Sequence, residues 1–156
     1  MSRTAHSIAI ETIPAMTILV RPVIGPYLQH PAVIEELMRY ADSRGLIQGT
    51  PFAIYHSSPE QVPEESAQWD VCVKVPSGTT AADPFEVRKV PNTLAAVLDY
   101  TGPYEDTGAS YGELAKWITE NGYALAGSPQ EHWLSDPQTT PPEERRARIV
   151  FPIVQR

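Results

Sequence analysis

The sequence predicts an α+β fold made of two pseudo-symmetric strand–helix–strand–strand repeats, with antiparallel sheets around a central cleft. Three observations predict it. The two halves match in order along their length, each half carries one amphipathic helix among strand-like apolar runs, and both halves turn on the same Gly-Pro-Tyr tripeptide. An internal repeat constrains architecture before any single element is assigned.

Ile8-Ala9-Ile10-Glu11-Thr12-Ile13-Pro14 aligns with Phe85-Glu86-Val87-Arg88-Lys89-Val90-Pro91 at an offset of 77 positions. At the same offset of 77, Gly25-Pro26-Tyr27 meets Gly102-Pro103-Tyr104, Leu37 meets Leu114 and Gly45 meets Gly122. The offset then becomes 78, where Gly49 and Pro51 meet Gly127 and Pro129, Tyr55 meets Trp133, and Pro59 meets Pro137.

Each half reads alike. Residues 8–13 and 85–90 begin a strand that Pro14 or Pro91 interrupts, as an edge or bulge proline would. Apolar runs at 16–20 and 94–100 follow with β character. Gly-Pro-Tyr then marks the exit turn, glycine being free in φ and proline fixing the next residue. In 31–44, Ile34, Leu37, Met38 and Ala41 recur at helical spacing, and in 106–121 so do Tyr111, Leu114, Ala115 and Ile118. Pro31 suits a first helical turn, Asp106 an N-cap (with Glu105 beside it at the same helix end), and Gly45 and Gly122 the helix stops. Strands at 52–56 with 68–75, and at 130–134 with 148–154, close the halves. The Pro-, Ser- and Glu-rich stretches 57–67 and 135–145 read as exposed loops.

The 156 residues fit one domain, with repeat one at about 6–76, repeat two at about 84–155 and a joining segment at 77–84. Hydrophobic residues make up 42% and charged residues 20%, the balance of a soluble globular chain. No apolar run approaches the roughly 20 residues of a membrane helix. Arg3 and His6 precede no apolar stretch of a secretory signal, so a cytoplasmic location is expected. The lone cysteine, Cys72, agrees with a reducing compartment and reads as a buried thiol. A net charge of −7 argues against a nucleic-acid partner, which would favour a basic face.

Most catalytic signatures are absent. His6, His30, His56 and His132 show no HxxxH or CxxC spacing, so no metal site is signalled. There is no glycine-rich phosphate loop, no cofactor is expected, and Ser110 lacks a nucleophile-elbow context.

The informative stretch is where the repeats differ. Glu131 corresponds to Ala53 and Trp133 to Tyr55, and residues two apart in a strand share a face. A carboxylate and aromatics can therefore look into one groove, or Glu131 can lie on the outer face and simply aid solubility. Tyr27, Tyr104 and Trp69 read either as packing aromatics or as groove residues, and Trp117, on the second helix just off its apolar line, reads as half-buried packing. A carboxylate withdrawn from water is disfavoured unless compensated, and a bound organic cation compensates it, each aromatic face adding about 0.5–2 kcal/mol.

These features resemble the GyrI-like small-molecule-binding family, also called the AraC-type effector-binding domain, over residues 8–154. The resemblance is carried by Val90-Pro91, Thr101-Gly102-Pro103-Tyr104-Glu105, Tyr111-x-x-Leu114-x-x-Trp117-Ile118, Gly122-Tyr123 and Gly127-x-Pro129-x-Glu131-x-Trp133-x-x-Asp136-Pro137. The C-terminal Pro141-Pro142-Glu143-Glu144 and Ile149-Val150-Phe151-Pro152-Ile153 extend it. It implies a hydrophobic cleft in which the glutamate at the Glu131 position pairs with lipophilic cations. Trp133 departs from the tyrosine usual there.

The resulting expectation is a stand-alone module that captures hydrophobic, cationic aromatic compounds. Glu131 would neutralise charge, and Trp133, Tyr55, Tyr104 and Trp69, with Ala53, would line the site. Two alternatives stay open. One is a hydrolase of cyclopropane-bearing genotoxic molecules in which Glu131 orients or deprotonates water. The other is a protein that interacts with gyrase or with a regulator.

Overall fold

The computed structural model describes residues 7–57 and 62–156, so Arg3, His6 and the Pro59 match lie outside the described residues, as does part of the first loop. The Glu105 side chain lies outside them too. The chain forms two compact units, and these are not the contiguous repeats.

Unit one is Pro14–Asn92. It contains β2 (Met16–Ile24), α1 (His30–Ser43), β3 (Phe52–Tyr55), β4 (Gln68–Val75) and β5 (Glu86–Val90). Its antiparallel sheet runs β3-β4-β2-β5. Unit two joins β1 (Ser7–Ile13) to Thr93–Arg156, which holds β6 (Thr93–Thr101), α2 (Gly108–Glu120), β7 (Tyr123–Leu125), β8 (Gln130–Trp133) and β9 (Arg146–Gln155). Its sheet runs β1-β6-β9-β8, and β7 also pairs with β9. The α+β class with antiparallel sheets and one helix per repeat is therefore the fold observed.

The opening strand of each repeat has been exchanged. β1 pairs with β6 of repeat two, and β5 pairs with β2 of repeat one. Pro14 and Pro91 thus mark the points where the chain passes between units, not bulges within a strand. A proline suits this position because it ends a hydrogen-bonded ladder. Separately expressed fragments 1–80 and 81–156 should accordingly fold poorly alone, each leaving a strand edge unpaired. Mixing them should give a 1:1 complex with native circular dichroism; fragments that stay apart in size-exclusion chromatography would overturn the exchange.

Each helix buries one stripe on its sheet. In α1 the stripe is Val33, Leu37 and Ala41, and in α2 it is Ser110, Leu114 and Ile118, the same positions at the repeat offset. The stripe is centred one position before that expected from Ile34 and Tyr111, which are half-buried. On β4, Trp69, Val71, Val73 and Val75 alternate onto the helix-packed face, and Cys72 points to the other, where burial pushes its thiol well up. α1 starts with Pro31 in its first turn, and Gly45 and Gly122 follow the helices at φ +66° and +85°. Asp106 does not cap α2. It closes a short 3-10 turn, Tyr104–Asp106, and Thr107 takes the N-cap position. β7 was not expected from the sequence, its three residues being too short for a periodicity signal.

Gly102 shows why the tripeptide turn needs glycine. It sits at φ +144°, and a Cβ there would come within 2.9 Å of the Tyr100 hydroxyl oxygen. Among the described residues no helix is long and apolar enough to cross a membrane.

Candidate ligand-binding site

β8 carries Glu131 and Trp133 on one face, as strand alternation requires. Glu131 lies opposite Ile149 of β9 and is 5% exposed. α2 begins over the same place, and its first two turns supply the partners. The Tyr111 hydroxyl donates to Glu131 Oε1 at 2.7 Å, and the Thr107 hydroxyl reaches the same oxygen at 3.2 Å. The Trp133 indole N–H donates to Oε2 at 2.8 Å. Tyr111, Trp133, Tyr104 and Trp117 all pack on the apolar core of unit two.

These donors are neutral. Burial pushes the Glu131 carboxyl up from its ordinary value, and the bonds from Tyr111, Trp133 and Thr107 pull it part of the way back. None of the ion pairs among the described residues includes Glu131. The site is thus a desolvated carboxylate held by hydrogen bonds alone, two of them from aromatic side chains. Replacing Tyr111 with phenylalanine removes the largest opposing bond, so the Glu131 pKa should rise further. A carboxyl carbon-13 titration reads this directly, and an unchanged or lower value would contradict the arrangement.

The other expected site residues are placed as follows. Tyr104 belongs to unit two, with its hydroxyl 2.9 Å from both the Ser135 and the Arg146 carbonyl oxygens, to one of which it donates, and this holds its ring in place. Tyr55, Ala53 and Trp69 belong to unit one. Trp69 is fully buried, its indole N–H bonded to the Gly25 carbonyl at 2.9 Å, and Ala53 is fully buried as well. Trp69 is therefore a core residue in this structure, because the tripeptide turn and α1 enclose its ring. Tyr55 donates to His30 Nε2 at 2.9 Å, and His30 Nδ1–H donates to the Tyr27 carbonyl at 2.6 Å. Burial lowers the His30 pKa, in keeping with a neutral ring in that tautomer. A cavity of about 230 Å³ in unit one is lined by Tyr27, Val62, Glu64 and Ala67.

Thr107 and Tyr111 were not singled out from the sequence as partners of Glu131. A signal was present: they replace His30 and Ile34 of repeat one, so the same comparison that isolated Glu131 also marks them.

Other polar groups are structural. Asp70, 3% exposed, accepts from His56 Nε2 at 2.6 Å and from the Arg88 guanidinium at 2.8 Å. His132 is held down to about 4 by burial and then by the Arg148 charge, so it is neutral at pH 7. Among the described residues no group of His, Cys, Asp and Glu could hold a metal ion.

Residues 6–154 match the family model described as the GyrI-like small molecule binding domain. The chain belongs to that family. No curated protein matches the chain. Among solved structures, this GyrI-like chain superposes on the EcmrR C-terminal domain with a TM-score of 0.82 at 22% identity, covering 97% of this chain and 99% of that one. On EcmrR in its DNA complex the TM-score is 0.86 at 20% identity, and the chain spans 58% of that protein's length. A hydrolase from Listeria innocua gives 0.69 at 12% identity, covering 94% and 91% of the two chains. SAV2435 bound to tetraphenylphosphonium gives 0.59 at 10% identity, covering 95% and 94%. At these identities the likeness is one of fold.

Proposed function

We propose that this GyrI-like domain is a capture module for hydrophobic, aromatic organic cations, with Glu131 as counter-ion. The observation that carries the reading is the buried Glu131 carboxylate whose three side-chain partners are all neutral. Such a group is disfavoured by several kcal/mol when ionised in an apolar wall. A cation without hydrogen-bond demands, delocalised over aromatic rings, offsets that penalty at little desolvation penalty of its own. Trp133 and Tyr104 supply the ring faces that stabilise it further. The reading uses unit two alone; Trp69 and Tyr55, which pack in the core of unit one, and the fully buried Ala53 are left out. The free buried thiol of Cys72 suits the cytoplasm, where we place the protein.

Tetraphenylphosphonium, the cation bound by SAV2435, is a suitable probe. Titration followed by tryptophan fluorescence should saturate at micromolar concentration, and mass spectrometry should recover the cation unchanged. Proton and cation compete for Glu131, so affinity should be highest above the raised Glu131 pKa. Below it, affinity should fall by up to about tenfold per pH unit. Binding that stays flat as the pH falls through the Glu131 titration, followed by the carboxyl carbon-13 signal, would remove Glu131 from the reading. Recovery of a hydrated product from a strained electrophilic substrate would favour the hydrolytic use of the same carboxylate.

A further inference from the structure

The two repeats share a strand register but fill it with opposite contents. In unit one, Tyr55 lies across from Trp69, and Ala53 across from Val71. In unit two, Trp133 lies across from Ala147, and Glu131 across from Ile149. At this register, therefore, one repeat carries an indole where the other carries a methyl group, and a methyl group where the other carries the carboxylate.

The indole of Trp69 fills its place completely. Its N–H bonds the Gly25 carbonyl at 2.9 Å, its ring lies 4.4 Å from the His30 ring centroid and 5.7 Å from that of Tyr27, and it has no exposed surface. Tyr55 closes the group, 5.2 Å from Tyr27 and 5.8 Å from His30. The repeat-two counterparts of Tyr27, His30 and Tyr55 are Tyr104, Thr107 and Trp133. Two of these, Thr107 and Trp133, hold Glu131. Trp69 thus packs beside His30 and Tyr55, the two positions whose repeat-two counterparts hold the carboxylate.

We propose that unit one retains a second ligand site of the same construction, occupied by the protein's own Trp69 indole. The chain consequently takes one ligand, and the built-in occupant defines what the emptied site accepts. That class is a neutral, flat heteroaromatic molecule with one N–H. With Ala53 in place of a glutamate, unit one has no counter-ion for a cation at this register; the acceptor it offers is the Gly25 carbonyl. The equivalence to a ligand position rests on the function proposed above, whereas the acceptor, the ring contacts and the burial of Trp69 do not.

The test is indole binding to Trp69→Ala, with the wild type as control. The wild type should show no saturable indole binding in unit one, and Trp69→Ala should bind one indole per chain. 1-Methylindole, lacking the N–H for Gly25, should bind the variant about tenfold more weakly. If the truncation lowers the melting midpoint below the assay temperature, millimolar indole should restore the folded circular dichroism spectrum, because a ligand that binds only the folded state stabilises it. A variant that is folded without binding indole, or that indole does not restore, overturns the proposal. The converse variant, Ala147→Trp, places the indole in unit two and should weaken tetraphenylphosphonium binding at least tenfold. A folded Ala147→Trp that binds the cation as tightly as wild type also overturns it. If the wild type binds no cation, the function proposed above fails, and the indole measurement still decides this one.

Discussion

Replacing Glu131 with glutamine is expected to weaken tetraphenylphosphonium binding by about two orders of magnitude, or ~2–3 kcal/mol. The substitution preserves shape. The glutamine oxygen can accept from the Trp133 indole, and its amide can donate to the Tyr111 and Thr107 hydroxyl oxygens, which rotate to accept. Only the charge is lost, so a loss of affinity reports the cation–carboxylate interaction itself. Stability should move the other way. A carboxyl whose folded-state pKa is raised contributes stability at low pH, and that contribution disappears as the pH rises through the folded-state value. Above that value the ionised Glu131 is therefore a burden on the fold, and there the glutamine variant should melt at an equal or higher temperature. Isothermal titration with thermal melts at pH 7 measures both. Equal affinity in the two proteins, or a clear drop in melting temperature for the variant, would contradict the site as described.

Leu114→Ala is expected to destabilise the protein by about 2–5 kcal/mol, the range for a leucine truncated at a fully packed site. Leu114 has no exposed surface, sits in the middle of the buried stripe of α2, and faces the sheet residues Leu98 and Ile149, which are buried equally. Leu37 holds the matching place on α1 and should respond alike. Leu94, on β6 but 37% exposed, is the contrast, and its truncation should change stability much less. Urea denaturation gives the differences at constant slope. A Leu114→Ala effect no larger than that of Leu94→Ala would mean that α2 is not docked on its sheet as observed. Because α2 also presents Thr107 and Tyr111, the same variant should loosen cation binding, coupling the helix packing to the site.

Much of this was legible from the chain. The repeat offset, the apolar spacing at Leu37 and Leu114, and the glycines at 45 and 122 are local signals, and local signals survive in sequence because helix period and turn conformation depend on near neighbours. Glu131 was legible as the asymmetric position of a duplicated strand, and its shared face with Trp133 follows from the two-residue period of any strand. What burial and partners did to it was not legible. Tyr111 and Thr107 lie 20 and 24 residues from Glu131, and only the docking of α2 on its sheet brings their hydroxyls to its carboxylate.

The sequence by itself thus determined that the chain is duplicated, that each copy is a helix among antiparallel strands, and which position breaks the symmetry. Tertiary structure alone decided that the opening strands are exchanged between units, since pairing partners are chosen by long-range hydrogen bonding that no local period records. It also decided that Trp69 is core and Trp133 a partner of the carboxylate, two aromatics that their local sequence does not tell apart. The physical reason is the same in both cases: which face of a strand is closed over, and by what, depends on the volume and donors of residues that the fold alone brings near.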